Sequence, residues 1–106
     1  MSLAQKRRLV KVENNLTKYK QAILKIIREQ TLIVGPLARN LVEGLDDLVF
    51  NDDVDVEIKT DPKKALEEVV EQYGKVFGKT SIEVCKRVVR NMPSGFTESE
   101  LPDVLK

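Results

Sequence analysis

The feature of this 106-residue sequence that most constrains its fold is a stripe of apolar residues between positions 9 and 26. Successive members of the stripe are alternately three and four residues apart, which places their side chains along one side of an α-helix. Sustained alternation of this kind is typical of a helix that packs along another helix, as in a coiled coil. The stripe comprises Leu9, Val12, Leu16, Tyr19, Ile23 and Ile26.

The helix that carries this stripe is predicted to be long. Neither glycine nor proline occurs between Gln5 and Gln30, so a continuous helix of about 40 Å is expected. Such a helix is longer than the rest of so small a domain, and its first half is the poorer in apolar residues. That half is expected either to project or to pack against a second chain. The contact residues predicted for a homodimer or another partner are Leu9, Val12, Leu16, Tyr19 and Ile23.

A second, shorter helix is predicted after a break at the Gly35-Pro36 pair. Proline has no backbone N–H and disfavours helical conformation in the residue before it, so the first helix should not continue through this pair. Proline is well tolerated in the first turn of a helix. The second helix is therefore predicted to begin at Pro36 and to end near Gly44.

A β-hairpin is predicted in the segment that follows. Apolar and charged residues alternate strictly from Val54 to Ile58, which is the periodicity of a β-strand. A second apolar run precedes it, and the two runs predict a small hairpin near residues 48–59 with a three-residue loop at 51–53. An extended, ordered loop is the alternative interpretation of the same residues.

Two further helices are predicted in the C-terminal half of the chain. The Asp61-Pro62 pair is expected to cap the third helix, and Gly78 is expected to end it. Thr80 and Glu83 have the spacing of a capping box, which predicts the start of the fourth helix at Thr80. The inward side of the fourth helix is expected to carry Ile82, Cys85, Val88, Val89 and Met92.

The predicted elements define a mainly α fold of four helices with a long N-terminal helix and a small β-hairpin near residues 48–59. Residues 1–93 are expected to form a single helical domain whose first helix partly projects. Residues 94–106 are expected to form a C-terminal tail that is docked or serves as a linker. Within this tail, Thr97 and Glu100 have the spacing of a second capping box.

The formal net charge of +1 conceals a strong separation of charge along the chain. Residues 1–30 contain eight Lys and Arg against two Glu, whereas residues 42–72 contain eleven acidic residues against three basic ones. The two segments are expected to pair with each other, within one chain or between two. The alternative is a nucleic-acid contact on the first helix, although only Tyr19 is available there for base stacking. The residues predicted for that alternative contact are Lys6, Arg7, Arg8 and Lys11.

The sequence offers little catalytic or metal-binding chemistry. It contains no histidine, which removes the commonest general base and the commonest metal ligand. Cys85 is the only cysteine, lies among valines and is interpreted as a buried structural thiol. A calcium loop starting at Asp53 would place Ile58 where glycine is needed and Lys64 where glutamate is needed. We therefore expect no enzyme activity, no cofactor and no metal site.

The expected location is the cytoplasm, without membrane association. No apolar run reaches the roughly 18 to 20 residues that cross a bilayer. The basic N-terminus lacks the apolar block of a secretory signal, and a single cysteine is typical of a protein from a reducing compartment.

The sequence Ile33-Val34-Gly35-Pro36-Leu37-Ala38, followed by Leu41-Val42, resembles a helix opening found in small helical accessory modules of bacterial signalling proteins such as kinases and response regulators. The resemblance implies a regulatory or protein-binding accessory domain, and it carries no catalytic residues. Together with the apolar stripe, it leads us to expect a non-enzymatic, self-associating regulatory or protein-interaction module. A nucleic-acid-binding regulator that uses the basic first helix is the alternative.

Overall fold

The computed structural model of the chain describes residues 3–52, 55–93 and 95–106, with side chains from residue 16 onward. It confirms the predicted mainly α fold, with four α-helices and one two-stranded antiparallel sheet in this described part. Two single turns of 3₁₀ helix lie near the C-terminus. The elements are α1 (Leu3–Val34), α2 (Leu37–Glu43), β1 (Leu48–Asp52), β2 (Asp55–Ile58), α3 (Pro62–Phe77), α4 (Lys79–Arg90) and the 3₁₀ turns Glu98–Glu100 and Asp103–Leu105.

The first helix sets the long dimension of the molecule. At about 1.5 Å per residue, its 32 residues are about 48 Å long, and the longest extent of the molecule is 48 Å. The helix continues four residues beyond the predicted end at Gln30, because no helix breaker occurs before Gly35. There the chain turns sharply, with Gly35 at a φ of 76°. Pro36 caps α2, so that helix begins one residue later than predicted.

The core of the molecule lies where α1 packs against α3 and α4. Tyr19 and Ile23 are buried on α1, and Val69 and Tyr73 are buried on α3. The side chain of Tyr73 also reaches α2, because its hydroxyl donates a hydrogen bond of 2.6 Å to the carbonyl of Ala38. The second half of α1 therefore lies in the core, as the sequence predicts from its richer apolar content.

The β-hairpin is confirmed and packs through β2 against α1. Val56 is fully buried, and it pairs with Phe50 across the two strands. The predicted three-residue loop is wrong, because β1 extends through Asp52, which pairs with Asp55. The register shifts after Phe50, because β1 advances two residues, from Phe50 to Asp52, where β2 advances one, from Val56 to Asp55. Val54, which was predicted to lie in the second strand, is outside the described residues.

The start of α3 follows the sequence prediction, whereas the start of α4 does not. The carboxylate of Asp61 accepts a hydrogen bond of 3.0 Å from the backbone N–H of Lys63. The predicted capping box at Thr80 is wrong, because α4 begins at Lys79 and Thr80 already lies within the helix. Gly78 makes the connection between α3 and α4 in a single residue, at a φ of 83° that favours glycine.

The buried side of α4 is rotated slightly from the predicted one. Cys85, Val89 and Met92 are buried as expected. Ile82 and Val88 are only half-buried, and they pack at the edge of the core. The positions that the prediction omitted are Ser81 and Val84, which are both buried.

The C-terminal segment packs back onto the helices. Leu105 and Pro102 are buried, and the turn at 103–105 contacts α3 and α4. The predicted capping box at Thr97 and Glu100 is present, since the backbone N–H of Thr97 donates to Glu100 Oε1 at 2.8 Å. Residues 95–106 are thus docked in this structure.

Candidate interaction surfaces

The apolar stripe on α1 passes from the core to the surface near Leu16. The side chain of Ile23 is fully buried and that of Tyr19 is 7% exposed. Leu16, one turn earlier, is 39% exposed. Leu9 and Val12 lie on the helical backbone of α1, but their side chains are outside the described residues. The stripe therefore has two parts, of which the C-terminal part packs within the chain.

Tyr19 is held by the docked C-terminal segment. Its hydroxyl donates a hydrogen bond of 2.7 Å to the carbonyl of Glu100, and its ring meets Phe96 edge-on at 5.2 Å between centroids. Burial, with a smaller contribution from the nearby charges of Glu100 and Asp61, raises the pKa of Tyr19 to about 12. Tyr19 therefore remains a neutral hydrogen-bond donor at physiological pH.

The burial of Tyr19 and Ile23 limits the predicted dimer contact. Neither side chain offers an exposed surface to a partner in this structure, because both are occupied by contacts within the chain. Leu16 is the described member of the predicted contact set whose side chain this packing leaves exposed. The sequence could not make this distinction, since periodicity identifies a buried side of a helix without identifying what buries it.

The alternative nucleic-acid residues Lys6, Arg7, Arg8 and Lys11 lie on the backbone of α1, with side chains outside the described residues. The structure adds a different basic surface farther along the same helix. It lies between the second half of α1 and the end of α4. The sequence did not predict this surface, because its residues come from two helices about 60 positions apart in sequence. The abundance of Lys and Arg in both helices was the only sign of it in the sequence.

This second basic surface is a shallow groove of about 290 Å³. Three of its side chains are exposed cations, from Lys25 and Arg28 on α1 and from Arg87 on α4. Asn91 contributes an amide, and Glu29 is the carboxylate in the lining. We refer to the surface formed by Lys25, Arg28, Arg87 and Asn91 as the α1–α4 groove.

A patch of exposed apolar side chains lies at the turn between α1 and α2. Leu32 is 76% exposed, and Ile33 and Leu37 are also exposed. An adjoining open cleft of about 580 Å³ has Leu32, Pro36 and Phe50 in its lining. The apolar run after Gln30 was visible in the sequence, but its exposure depends on how α2 folds back.

Gln30, Ser81 and Cys85 form a buried polar cluster in the described interior. The side-chain amide of Gln30 donates to the carbonyl of Ser81 at 3.1 Å and to the Sγ of Cys85 at 3.7 Å. Burial raises the pKa of the Cys85 thiol to about 11, and the Gln30 contact opposes this only in part. The thiol is enclosed by the core, so the prediction that Cys85 is buried is confirmed.

Two carboxyl groups of the acidic segment, those of Asp47 and Glu68, interact with each other. A hydrogen bond with Asp47 raises the pKa of Glu68, with burial as the next contribution. In the described part of the chain, no group of three or more acidic, cysteine or histidine side chains is arranged to hold a metal ion. No ion pair between described residues joins the basic segment at 16–30 to the acidic segment at 42–72.

Comparison of the chain with protein-family models, with curated proteins and with solved structures finds no match. Among the residues that the structure describes, no helix contains an apolar stretch long enough to cross a bilayer.

Proposed function

We propose that this chain is a non-enzymatic protein-interaction module that forms a homodimer through the N-terminal half of α1. The observation that carries the proposal is the change in burial along the apolar stripe. Tyr19 and Ile23 are buried within the chain, whereas Leu16 is exposed. Before Leu16, α1 continues for 13 residues back to Leu3, and Leu9 and Val12 maintain the spacing of the stripe.

A second helix packed along the N-terminal half of α1 would stabilise the helical conformation of that half. An isolated helix shorter than about 12 to 15 residues is marginal in water, even with good helix formers. Pairing two copies would bury six side chains, the Leu9, Val12 and Leu16 of each. Burial of a fully exposed side chain of this kind contributes about 1.5–3 kcal/mol, and burial of Leu16 contributes less because it is already partly buried. The total is comparable with the association cost of about 4–15 kcal/mol. The dimer is thus expected to be of moderate strength and concentration-dependent.

Salt should strengthen such a dimer. The same half of α1 carries Lys6, Arg7, Arg8 and Lys11 against the single acid Glu13. Bringing two such segments together places like charges near one another, and added salt screens that repulsion. Two copies of the chain that meet through an apolar contact surrounded by like charges should therefore associate more tightly at high salt.

The decisive experiment is the solution mass of the Leu16→Glu variant by light scattering on a sizing column, at low and high salt. We expect wild type to approach twice the chain mass of 12.0 kDa, most completely at high salt. Leu16→Glu should be monomeric, because it places a charge in the apolar contact. Its core should remain folded, as measured by circular dichroism, since Leu16 is already 39% exposed in the single chain. Ile23 is unsuitable for this test because its side chain belongs to the core.

Thr17→Glu is the matched control, since Thr17 is the next residue on the same helix and is exposed. It adds the same charge away from the stripe and should leave the dimer intact. A monomeric wild type at both salt concentrations would contradict the proposal, and so would equal masses for the two variants. A regulatory role in a signalling protein, which the resemblance of residues 33–42 implies, is proposed as the context for this association.

A further inference from the structure

The α1–α4 groove has the layout of a phosphate-binding surface. Lys25 and Arg28 are one turn apart on α1, and Arg87 and Asn91 are one turn apart on α4. Each pair is separated by about 4.5 to 6 Å along its helix. The axial rise between successive phosphates on one strand of duplex DNA is about 3.4 Å, so each pair of side chains spans between one and two such steps. Helices packed side by side have axes about 8–10 Å apart, so the donors form two rows.

The cations of the groove are available for an external anion. Lys25, Arg28 and Arg87 form no ion pair with any described carboxylate, although Glu29 lies in the same lining. Lys18, by contrast, is already neutralised by Glu100 at 2.8 Å. Arg90 is exposed one turn beyond Arg87 and adds to the positive charge at this end of α4.

We infer that the α1–α4 groove binds the phosphate backbone of duplex DNA without reading its sequence. Arginine, lysine and asparagine side chains are the usual donors to phosphate oxygens. No aromatic side chain lines the groove, so base stacking of a single strand has no platform there. This inference concerns a different surface from the dimer contact and does not rest on the proposed function.

The lining of the groove favours a nucleic acid over an acidic protein. Tight protein–protein contacts usually depend on large apolar or aromatic anchors placed in pockets. Val88 is the apolar residue of this lining, and it is already half-buried against the core. Binding to a phosphate backbone needs no such anchor, because it gains its free energy from the release of counterions.

The test is fluorescence anisotropy of the whole chain with a labelled duplex of about 24 base pairs, at about 50 to 200 mM salt. The groove variant combines Lys25→Gln, Arg28→Gln and Arg87→Gln. It should lose at least about tenfold in affinity at the lowest salt. The slope of log affinity against log salt should fall by about 2 to 3, since each lost phosphate contact removes about 0.9.

The matched control combines Lys59→Gln, Lys75→Gln and Lys79→Gln, which are all exposed and lie outside the groove. It removes the same three charges and should leave the salt slope unchanged. Equal losses in the two triple variants would overturn the inference, because net charge alone would then explain binding. So would absence of binding by wild type at the lowest salt, or tighter binding of polyglutamate than of the duplex. Circular dichroism melting of each variant verifies that it is folded.

Discussion

At the scale of single residues, the hydroxyl of Tyr73 joins two helices that the chain separates by a hairpin. The side chain is fully buried on α3, and its hydroxyl donates to the carbonyl of Ala38 on α2 at 2.6 Å. Burial raises the pKa of this phenol, with a small further contribution from Cys85. Tyr73 therefore stays protonated and acts as a hydrogen-bond donor at neutral pH.

Tyr73→Phe should lower the free energy of unfolding by about 1 kcal/mol, the usual net value of one buried hydrogen bond. The ring would remain in the core, so the measured change reports the hydroxyl alone. Urea denaturation followed by circular dichroism measures it. Tyr19→Phe is the comparison. It should lower the free energy of unfolding by less, because water can reach the carbonyl of Glu100 at the edge of the core. Equal stability of wild type and Tyr73→Phe would show that the Ala38 contact does not contribute.

At the scale of secondary structure elements, the contact between α3 and α4 depends on Gly74. A Cβ atom at this position would lie 2.7 Å from Cδ1 and 2.9 Å from Cγ1 of Ile82. Both distances are shorter than ordinary van der Waals contact. The missing side chain thus allows α4 to approach the last turns of α3 closely.

Gly74→Ala should therefore destabilise the protein, although glycine to alanine within a helix normally stabilises it by up to about 1 kcal/mol. We expect a net loss of about 1 kcal/mol, because overpacking typically costs about 1–3 kcal/mol. In an Ile82→Ala background the clash is absent, and Gly74→Ala should then stabilise the protein. Thermal or urea unfolding of the four proteins of this cycle measures the reversal of sign. A stabilising effect in both backgrounds would show that Ile82 moves aside without cost.

The elements that local periodicity specifies could be predicted from the sequence. The spacing of the apolar residues, the Gly35-Pro36 break and the Asp61 cap each act within a few residues, and the structure bears them out. Gly74 is a position whose role could not be predicted from local sequence patterns. The sequence marks it as a weak position in a helix, whereas its role in packing depends on Ile82 of the next element. The predicted start of α4 at Thr80 failed because Gly78 offered a competing, earlier start.

The candidate surfaces were harder to predict for the same reason. The apolar stripe was evident, but the division between buried Tyr19 and exposed Leu16 depends on where the C-terminal segment docks. The α1–α4 groove joins Arg28 to Arg87, which no local pattern connects. Prediction of an interaction surface requires the tertiary arrangement, whereas prediction of an amphipathic helix does not.

At the scale of the whole molecule, the C-terminal segment closes the fold by contacting the middle of α1 and the start of α3. The ammonium group of Lys18 pairs with Glu100 at 2.8 Å and lies 4.9 Å from the centre of the Phe96 ring. Lys63 on α3 donates to the carbonyl of Ser99 at 2.9 Å. These contacts join residues more than 30 positions apart. They therefore stabilise the tertiary structure and not any one helix or strand by itself.

The charge of Glu100 makes this closure sensitive to acid. Hydrogen bonds from Lys18 and then from the backbone of Thr97 lower the pKa of Glu100 in the folded protein. In the unfolded chain, a glutamate titrates near its usual pKa of about 4.3. The contribution of Glu100 to stability is therefore fully present above about pH 4.3, and it is lost as the pH falls through the lower pKa of the folded state.

Glu100→Gln should accordingly destabilise the protein at pH 7 by about 1 kcal/mol, the upper range for a partly exposed ion pair. The difference from wild type should shrink as the pH falls below about 4.3, because wild type then loses the same charge. Urea unfolding of both proteins across this pH range measures the difference. Glu98→Gln is the control, since Glu98 is exposed in the same turn and should show little effect at either pH. A difference between Glu100→Gln and wild type that does not change with pH would show that the Glu100 charge is not what holds the C-terminal segment to α1.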